Sequence, residues 1–593
     1  MRMKRAQRVL THAFQQIFEH RIEYVQTFLV VRGIQVLLFL PLTSLLFYCM
    51  YTWTGFDAIT EQNIGKFLAH PSAIFLVSVW LLCCILFIYY ELGVYCLQAY
   101  YQQKGMPYTF NKIWRRLHRK VVYFFSAQSL VILVYIILLI PLAAFLLPVT
   151  LTQQLQLPAF IVDELMHSTK GKWLYGSVVT LLGFMTLRLL FTLPIFIIHP
   201  HVSIWEAVVQ SWQFSRKKLF ETIVLLATLF VTYSSILVVI IAAAFLPLWA
   251  VERFLPVAAL PVAGITLTLV EVFLVTMFTV LQALFSHIIV AVLYDHSHAV
   301  FHSPQQRLRH TYRKYIQIGT PIVILVLIVT NTASLERSIY APDTLIIAHR
   351  GFMSEEVENT IGALVASVEV GADIVEIDIQ QTKDGEFVVF HDVTLNRLTN
   401  RSDAVHTLTL AQLMAIEVMA GGHRDRIPSL QQMIDAAKAH DMTLLVEVKI
   451  HGYETPDYLE RLVAQLADNG VLSTYYVQSM NNIIMEKIEA LEPRLKTGSV
   501  YTFHIGALPI TDTDFYAIEE SSVSAKLVEE ARQKNKPLFI WTVNSERSLQ
   551  HYLEQDVDGL ITDNPQTAVK LRGRLEQDAY FLTRVFHRLT ITF

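Results

Sequence analysis

Seven stretches of the first 335 residues are apolar over the length that a bilayer demands. Crossing the hydrocarbon takes roughly 20 apolar residues wound as helix, because no water is there to satisfy an open backbone. The stretches run at 33–53, 73–97, 121–148, 172–199, 222–250, 262–294 and 317–335. The sixth is long enough for one tilted helix or for a helical hairpin. The composition, 53% hydrophobic and 16% charged, therefore averages two unlike parts. Residues 1–335 read as a polytopic membrane domain, 336–343 as a short polar linker with Pro342, 344–575 as a globular domain and 576–593 as a tail.

Basic residues set the expected orientation, since Lys and Arg are retained on the cytoplasmic side. Residues 1–32 carry Arg2, Lys4, Arg5, Arg8, Arg21 and Arg32, and the 98–120 loop carries Lys104, Lys112, Arg115, Arg116, Arg119 and Lys120. Arg216, Lys217 and Lys218 follow at 200–221, and Arg307, Arg309, Arg313 and Lys314 at 295–316. The intervening loops hold only Lys66, Lys170 and Arg253. Seven spans with the N-terminus inside keep every basic loop cytoplasmic and put the second half of the chain outside the plasma membrane. A hairpin at 262–294 would expose the 295–316 loop, so seven is preferred. The basic, amphipathic start (residues 1–18) lacks the cleavage site of a signal peptide and reads as an interfacial helix. Glu91, Arg188, Glu271 and His287 fall inside spans, either as interhelical pairs or as functional groups. Cys49, Cys83, Cys84 and Cys96 all lie in apolar runs, so neither a disulfide framework nor a cysteine metal site is open to the second half. A net charge of −3 offers no general attraction for nucleic acid.

Beyond residue 343 short β-rich runs alternate with amphipathic helical stretches. The runs are 344–348, 373–379, 386–392, 443–449, 474–479, 496–500, 537–544 and 558–563, with helices expected at 360–370, 429–440, 456–468, 481–491 and 524–535. Eight strands with interleaved helices over this length predict an α/β fold, a closed (β/α)8 TIM barrel. The 393–428 stretch is expected to form an excursion over its mouth.

The polar residues inside these strands carry the chemistry. Glu376 and Asp378 are two apart and share one face, and Glu447 and Lys449 repeat the spacing. His349, Asp378, His391 and Lys449 are expected at the C-terminal ends of their strands, the face that carries active sites in this fold. Glu376, Asp378 and Glu447 form a hard oxygen set suited to one divalent cation, Mg²⁺ or Ca²⁺ rather than zinc. Arg350 offers a fork for phosphate and Lys449 a compact charge. His349 and His391 can divide general acid and base duties. The inventory suits metal-assisted cleavage of a phosphate ester. Glu358-Asn359-Thr360 is either a helix cap or a support for the site or substrate. Trp541 either fills the barrel or walls a substrate pocket.

These motifs closely resemble the glycerophosphodiester phosphodiesterase family, in its membrane-anchored bacterial form. The resemblance covers 344–570 and rests on IIAHRG (346–351), ENT (358–360), EIDI (376–379), VVFHD (388–392), RIPSL (426–430), VEVK (446–449), TGSV (497–500), WTVN (541–544) and DGLITDNP (558–565). It implies hydrolysis of glycerophosphodiesters to glycerol 3-phosphate and an alcohol. His349 and His391 would be the acid/base pair, Glu376, Asp378 and Glu447 the metal ligands, and Arg350 and Lys449 the phosphate contacts. It also implies substrate-assisted attack through a cyclic phosphate, although the residues fit direct attack by water equally. Lysophospholipids, or the glycerophosphate polymer of teichoic acids in a Gram-positive host, are further substrates to consider. The alternatives are a transporter or sensor whose barrel binds phosphodiesters, and a lysophospholipase D. The basic, aromatic tail at 580–593 either caps the barrel or docks on a surface.

Overall fold

The computed structural model describes residues 2–56, 58–146, 162, 165–166, 169–294, 310–336, 342–577 and 580–592. Residues 295–309 of the expected fourth basic loop, the end of the third expected span at 147–148 and most of the expected linker, 337–341, lie outside the described residues.

Among the described residues, six helices are long and apolar enough to cross a membrane: Arg21–Thr54, Pro71–Gln103, Thr169–Ile198, Ile204–Phe254, Pro256–Tyr294 and Gly319–Glu336. A seventh arises if Phe110–Phe125 and Gln128–Tyr135, bent by 107° at their junction, form one broken span. The expected span at 121–148 thus starts late, because Val121–Phe125 is a separate 3-10 turn and the helix proper begins at Gln128. The hairpin considered at 262–294 is absent: Ala259–Tyr294 is one unbroken helix. The amphipathic first helix, Arg2–Glu19, places Ala6, Leu10, Ala13 and Ile17 in the same apolar core as Leu284 and Ile288.

Polar groups inside the bundle meet partners on other helices, as burial in hydrocarbon requires. Glu91 pairs with Arg32 at 3.1 Å and accepts from Gln282 at 3.1 Å. His287 meets Tyr24 at 2.8 Å and Gln103 at 3.2 Å. Arg188 donates to the Trp212 carbonyl at 2.5 Å and lies 4.4 Å from the centre of its ring. Asn331 donates to Glu271 at 2.7 Å.

The second half closes an eight-stranded parallel barrel. One short strand precedes it, β1 (Ala58–Thr60) between the first two membrane helices. The barrel strands are β2 (Leu345–Ala348), β3 (Ile374–Gln381), β7 (Thr443–Val448), β8 (Tyr476–Ser479), β9 (Lys496–Tyr501), β11 (Phe515–Glu519), β12 (Leu538–Trp541) and β13 (Gly559–Thr562). Their order is β2-β13-β12-β11-β9-β8-β7-β3, closed by pairing of β3 with β2. The interleaved helices bury one apolar face each; Leu430, Met433, Ile434 and Ala437 recur at helical spacing and pack on β3 and β7. One expected strand is replaced by another. The 386–392 run contains β4 (Phe387–Val389), which turns back antiparallel to β3 and lies outside the barrel ring. The eighth barrel strand is instead β11, absent from the expectation. The 393–428 excursion holds a short helix, Leu410–Met414, and a hairpin of β5 (Glu417–Ala420) with β6 (His423–Arg426). It packs through its own apolar cluster against Val357, Val388 and Phe390.

Among the described residues, the two halves meet at β1 and at the tail helix. Strand β1 pairs antiparallel with β10 (His504–Gly506), in the segment that replaces a helix between β9 and β11. Glu61 accepts from the Phe503 backbone N–H at 3.1 Å, Gln62 donates to the Met480 carbonyl at 2.8 Å, and the Phe503 ring joins a cluster with Met50, Ile59 and Phe67. The tail helix Phe581–Thr592 lies between the halves: it packs Val585 and Leu589 against Leu248, Ala263, Leu267 and Leu335 of the membrane helices and also contacts the barrel helix Glu546–Glu554.

Candidate active site

A strand shows alternate residues to each side, so one interior residue per strand predicts the next two positions along. Ile347, Ile374, Leu445, Phe515, Ala517, Phe539 and Ile561 fill the barrel interior as one cluster, with Tyr476 against it. Two residues further toward the C-terminal ends stand His349, Glu376, Glu447, Gln478, Glu519, Trp541 and Asp563. Asp378 and Lys449 follow one more step up. The mouth of the barrel is therefore a polar ring on an apolar plug.

His391 reaches this ring by another route than its expected strand end. Strand β3 overshoots the mouth, a turn at Thr382–Glu386 reverses the chain, and β4 carries it back down. The Phe390 N–H then bonds the Asp378 carbonyl at 2.9 Å, and Gln380 ties down the carbonyls of Phe390 and Asp392 at 2.7 and 2.9 Å.

The two histidines are held alike. His349 Nδ1 lies 2.7 Å from Asp563 Oδ1, and Asp563 is fixed in turn by Asn544 Nδ2 at 2.6 Å. His391 Nδ1 lies 2.8 Å from Asp392 Oδ1. Arg397 clamps Asp392 at 2.7 Å and Glu358 at 2.6 and 2.7 Å. Each arrangement commits Nδ1 and leaves Nε2 for proton transfer. Burial alone would lower the His349 pKa, but the charge and hydrogen bond of Asp563 outweigh it and raise it above the ordinary value.

Glu376, Asp378 and Glu447 bring carboxylate oxygens within 4.8 Å of one another, all three residues buried. Burial first, and the Asp378 charge second, push the Glu376 carboxyl well above the usual range. Burial would raise Asp378 too, yet Lys449, His391 and Arg350 hold it below. Lys449 contacts Asp378 at 3.0 Å and also Glu447, while Gln478 donates to the other oxygen of Glu447 at 2.9 Å. Among the described residues Glu376 Oε1 is buried with no hydrogen-bond partner, although Oε2 accepts from the Arg350 N–H at 2.8 Å. An orphaned carboxylate oxygen among like charges fits a small divalent cation. Arg350 sits 3.1 Å from Glu358 and 3.4 Å from Asp378.

The HRG turn is dictated by its backbone. Arg350 and Gly351 have φ of 56° and 82°. A Cβ at Gly351 would lie 2.8 Å from the Ala363 backbone carbon, so only glycine fits. In the ENT motif the labour divides. Thr360 caps the helix Ile361–Glu369, whereas Asn359, at φ 58°, donates to Asp378 at 2.8 Å. The cap reading and the supporting reading thus apply to different residues of one motif. The Trp541 ring packs on the barrel plug at the mouth level, with the indole N–H on the Ala517 carbonyl at 3.1 Å. Arg397, Gln478 and Glu519 lie outside the motifs, and Asp392, Asn544 and Asp563 lie within them without an assigned role, although the period-two rule reaches Gln478 and Asp563 along expected strands.

Imidazoles poised by carboxylates can move protons, and a cation-seeking pocket beside fixed Arg and Lys can take the charge of a phosphate. That division of labour is the one a phosphoric diester hydrolase needs, here carried by a barrel joined to a membrane domain. Residues 10–333 match the membrane domain of glycerophosphoryl diester phosphodiesterase, and residues 349–567 match the glycerophosphoryl diester phosphodiesterase family. The glycerophosphodiester phosphodiesterase of Caldanaerobacter subterraneus subsp. tengcongensis is 31% identical over 243 residues, 38% of this chain and 97% of the relative. That of Bacillus altitudinis is 28% identical over 249 residues, 39% of this chain and 100% of the relative. A crystal structure of a glycerophosphodiester phosphodiesterase from Parabacteroides distasonis covers 40% of this chain and 98% of its own, at 20% identity and a TM-score of 0.35. The chain belongs to the glycerophosphoryl diester phosphodiesterase family, in the form that carries a membrane domain, and it is a phosphoric diester hydrolase.

Proposed function

We propose that the protein cleaves glycerophosphodiesters to glycerol 3-phosphate and an alcohol, with His349 and His391 as the acid/base pair. The observation that carries this reading is the matched support of the two rings, each Nδ1 held by a carboxylate within 2.8 Å. One Nε2 takes the proton of the attacking oxygen, a P–O bond forms, and the opposite P–O bond breaks as the other ring protonates the departing alcohol. Glu376, Asp378 and Glu447 would hold one divalent cation, Mg²⁺ or Ca²⁺, which when bound supplies neutralisation of a phosphate oxygen. Arg350 and Lys449 bind the remaining phosphate charge. Asn359 and Glu358 keep Asp378 and Arg350 in place, and Trp541 walls the mouth.

The barrel is placed outside the plasma membrane, with the N-terminus cytoplasmic. Supporting this, the segments that touch the barrel lie between the first two spans (Ala58–Gln62) and at the tail helix, whose Leu582 N–H bonds Glu252 at 3.0 Å near the turn between the fifth and sixth spans. These are the basic-poor loops. Substrate carried in the bilayer is favoured by one feature: Met480 and Ile483, exposed beside the mouth, adjoin the Gln62 contact with the membrane half.

The test is release of glycerol 3-phosphate from glycerophosphocholine and glycerophosphoglycerol by the purified full-length protein, with Mg²⁺, with Ca²⁺ and with chelator. Metal-dependent release that is lost in His391→Ala is expected. Release that survives this substitution unchanged would overturn the assigned role.

A further inference from the structure

One carboxyl group in the mouth has no part in the chemistry above. Glu519 ends β11, and its side chain continues the inward row of Phe515 and Ala517. It is fully buried. Its Oε2 accepts from the Ser521 N–H at 2.9 Å and from the Ser521 hydroxyl, but Oε1 is buried with no hydrogen-bond partner among the described residues. Leaving such an atom unpaired is costly, so its partner is expected to come from outside the protein. Its place in the ring narrows what that partner is. In the closed order, β11 is four strands from β3 in either direction, so Glu519 stands directly across the mouth from Glu376 and Asp378. The interior of this barrel is packed with side chains, so a ligand sits on the ring at its C-terminal face. A phosphate held on the β3 side therefore places the rest of its ester against β11 and β12. There Trp541 is the strand partner of Glu519.

We propose that Glu519 determines specificity for the glycerol moiety: its free oxygen hydrogen-bonds the terminal glycerol hydroxyl while Trp541 covers the carbon chain. This assignment rests on the phosphodiesterase reading above and deepens it. A hydroxyl is favoured over a cationic headgroup by the surroundings. Burial raises the carboxyl to about 7, the Ser521 bonds oppose that, and the neighbouring charge is a second carboxylate, Glu520. A carboxyl poised between its two forms can accept from a hydroxyl or donate to one, whereas an ammonium group would require it fully ionised.

The experiment compares kcat/KM of the full-length protein on glycerophosphocholine and on the analogue whose glycerol lacks the terminal hydroxyl, 2-hydroxypropyl phosphocholine. Wild type is expected to favour the glycerol substrate by about 100-fold or more, as sites built to bind a hydroxyl do. Glu519→Leu should bring the two within about threefold by raising KM for glycerophosphocholine while the analogue's turnover is kept. Glu519→Gln, which preserves size and one acceptor, should retain part of the preference and shows that the site still folds. Loss of both activities alike, or preference unchanged in Glu519→Leu, would overturn the assignment. A third substrate, glycerophosphoethanol, settles which end is read: a Glu519→Leu defect confined to the choline ester would overturn it in favour of headgroup recognition. Wild type that releases no glycerol 3-phosphate would refute the phosphodiesterase reading and this one with it, whereas release indifferent to Glu519 refutes only this one.

Discussion

Asp563→Asn tests the proton machinery with the smallest change of shape. The wild-type carboxylate bonds His349 Nδ1 at 2.7 Å with one oxygen and accepts from Asn544 Nδ2 at 2.6 Å with the other. An amide cannot satisfy both donors, so either the imidazole or Asn544 loses its partner, at about 1–3 kcal/mol. The surviving hydrogen bond is neutral rather than charge-assisted, which removes roughly 1 kcal/mol more. At about 1.4 kcal/mol per factor of ten, turnover should fall about 30- to 1000-fold. The pH dependence follows from the sign of the shift. His349 is raised in the fold, so its pairing with Asp563 stabilises fully below the ordinary histidine pKa of about 6.5 and fades as pH rises through the folded value. Asp563 is held below the usual carboxylate range despite burial, so its share is lost only in acid. The stability deficit of the variant should therefore be widest between about pH 4 and 6.5 and shrink in alkali. Glycerol 3-phosphate release across pH, with thermal unfolding alongside, reads both quantities. A rate within twofold of wild type and an unmoved pH profile would show that Asp563 does not set the proton transfer at His349.

Three further outcomes are expected. Gly351→Ala should destabilise the barrel by about 2–4 kcal/mol, from a left-handed backbone and from crowding on Ala363, measurable by denaturant unfolding; a loss under 1 kcal/mol would contradict the turn geometry. Arg397→Lys should cost at least about tenfold in turnover with KM little changed, because one ammonium cannot replace the fork joining Asp392 to Glu358, and a fully active lysine variant would show the clamp to be dispensable. Chelation should abolish turnover and lower the unfolding temperature of the barrel, with Mg²⁺ or Ca²⁺ restoring both, and Glu447→Gln should raise the half-saturating metal concentration at least about tenfold. Titration of the ion against thermal stability checks this without reference to the reaction.

Much of this architecture was legible because its causes are local. Apolar length announces membrane helices, and period two along EIDI and VEVK places their acids on one wall. What escaped has a physical reason. Strand β4 is apolar like a barrel strand, but the Asp384-Gly385 turn before it makes it the return arm of a hairpin, with Gly385 at φ 79°. Strand β11 (FYAIE) lacks the preceding helix that marks the other barrel strands, because the β9–β11 connection is the segment that meets the membrane half. Asp563 ends an expected strand and Glu519 ends the unexpected β11, and only the neighbouring interior residues show which way they face. Arg397 lies in an excursion without periodicity, and its partners Glu358 and Asp392 come from separate loops. Pairings such as β1 with β10 join positions over 440 residues apart and leave no trace in either segment alone.

That last pairing bears on what becomes of the barrel by itself. A closed barrel has no free edge, but β10 stands outside the ring as a three-residue ribbon whose outward N–H and C=O groups are occupied by β1. Beside it the Phe503 ring is partly buried among membrane-half residues. Cutting the chain before residue 342 strips both, leaving a bare sheet edge flanked by an aromatic ring, the arrangement that invites strand-to-strand association between copies. The loop between the first two spans is thus a covering as well as a tether. A soluble catalytic fragment should be obtained as a monomer only when that edge is blunted, for example by Ile505→Lys, or when a peptide spanning residues 56–63 is supplied to take the place of the missing strand.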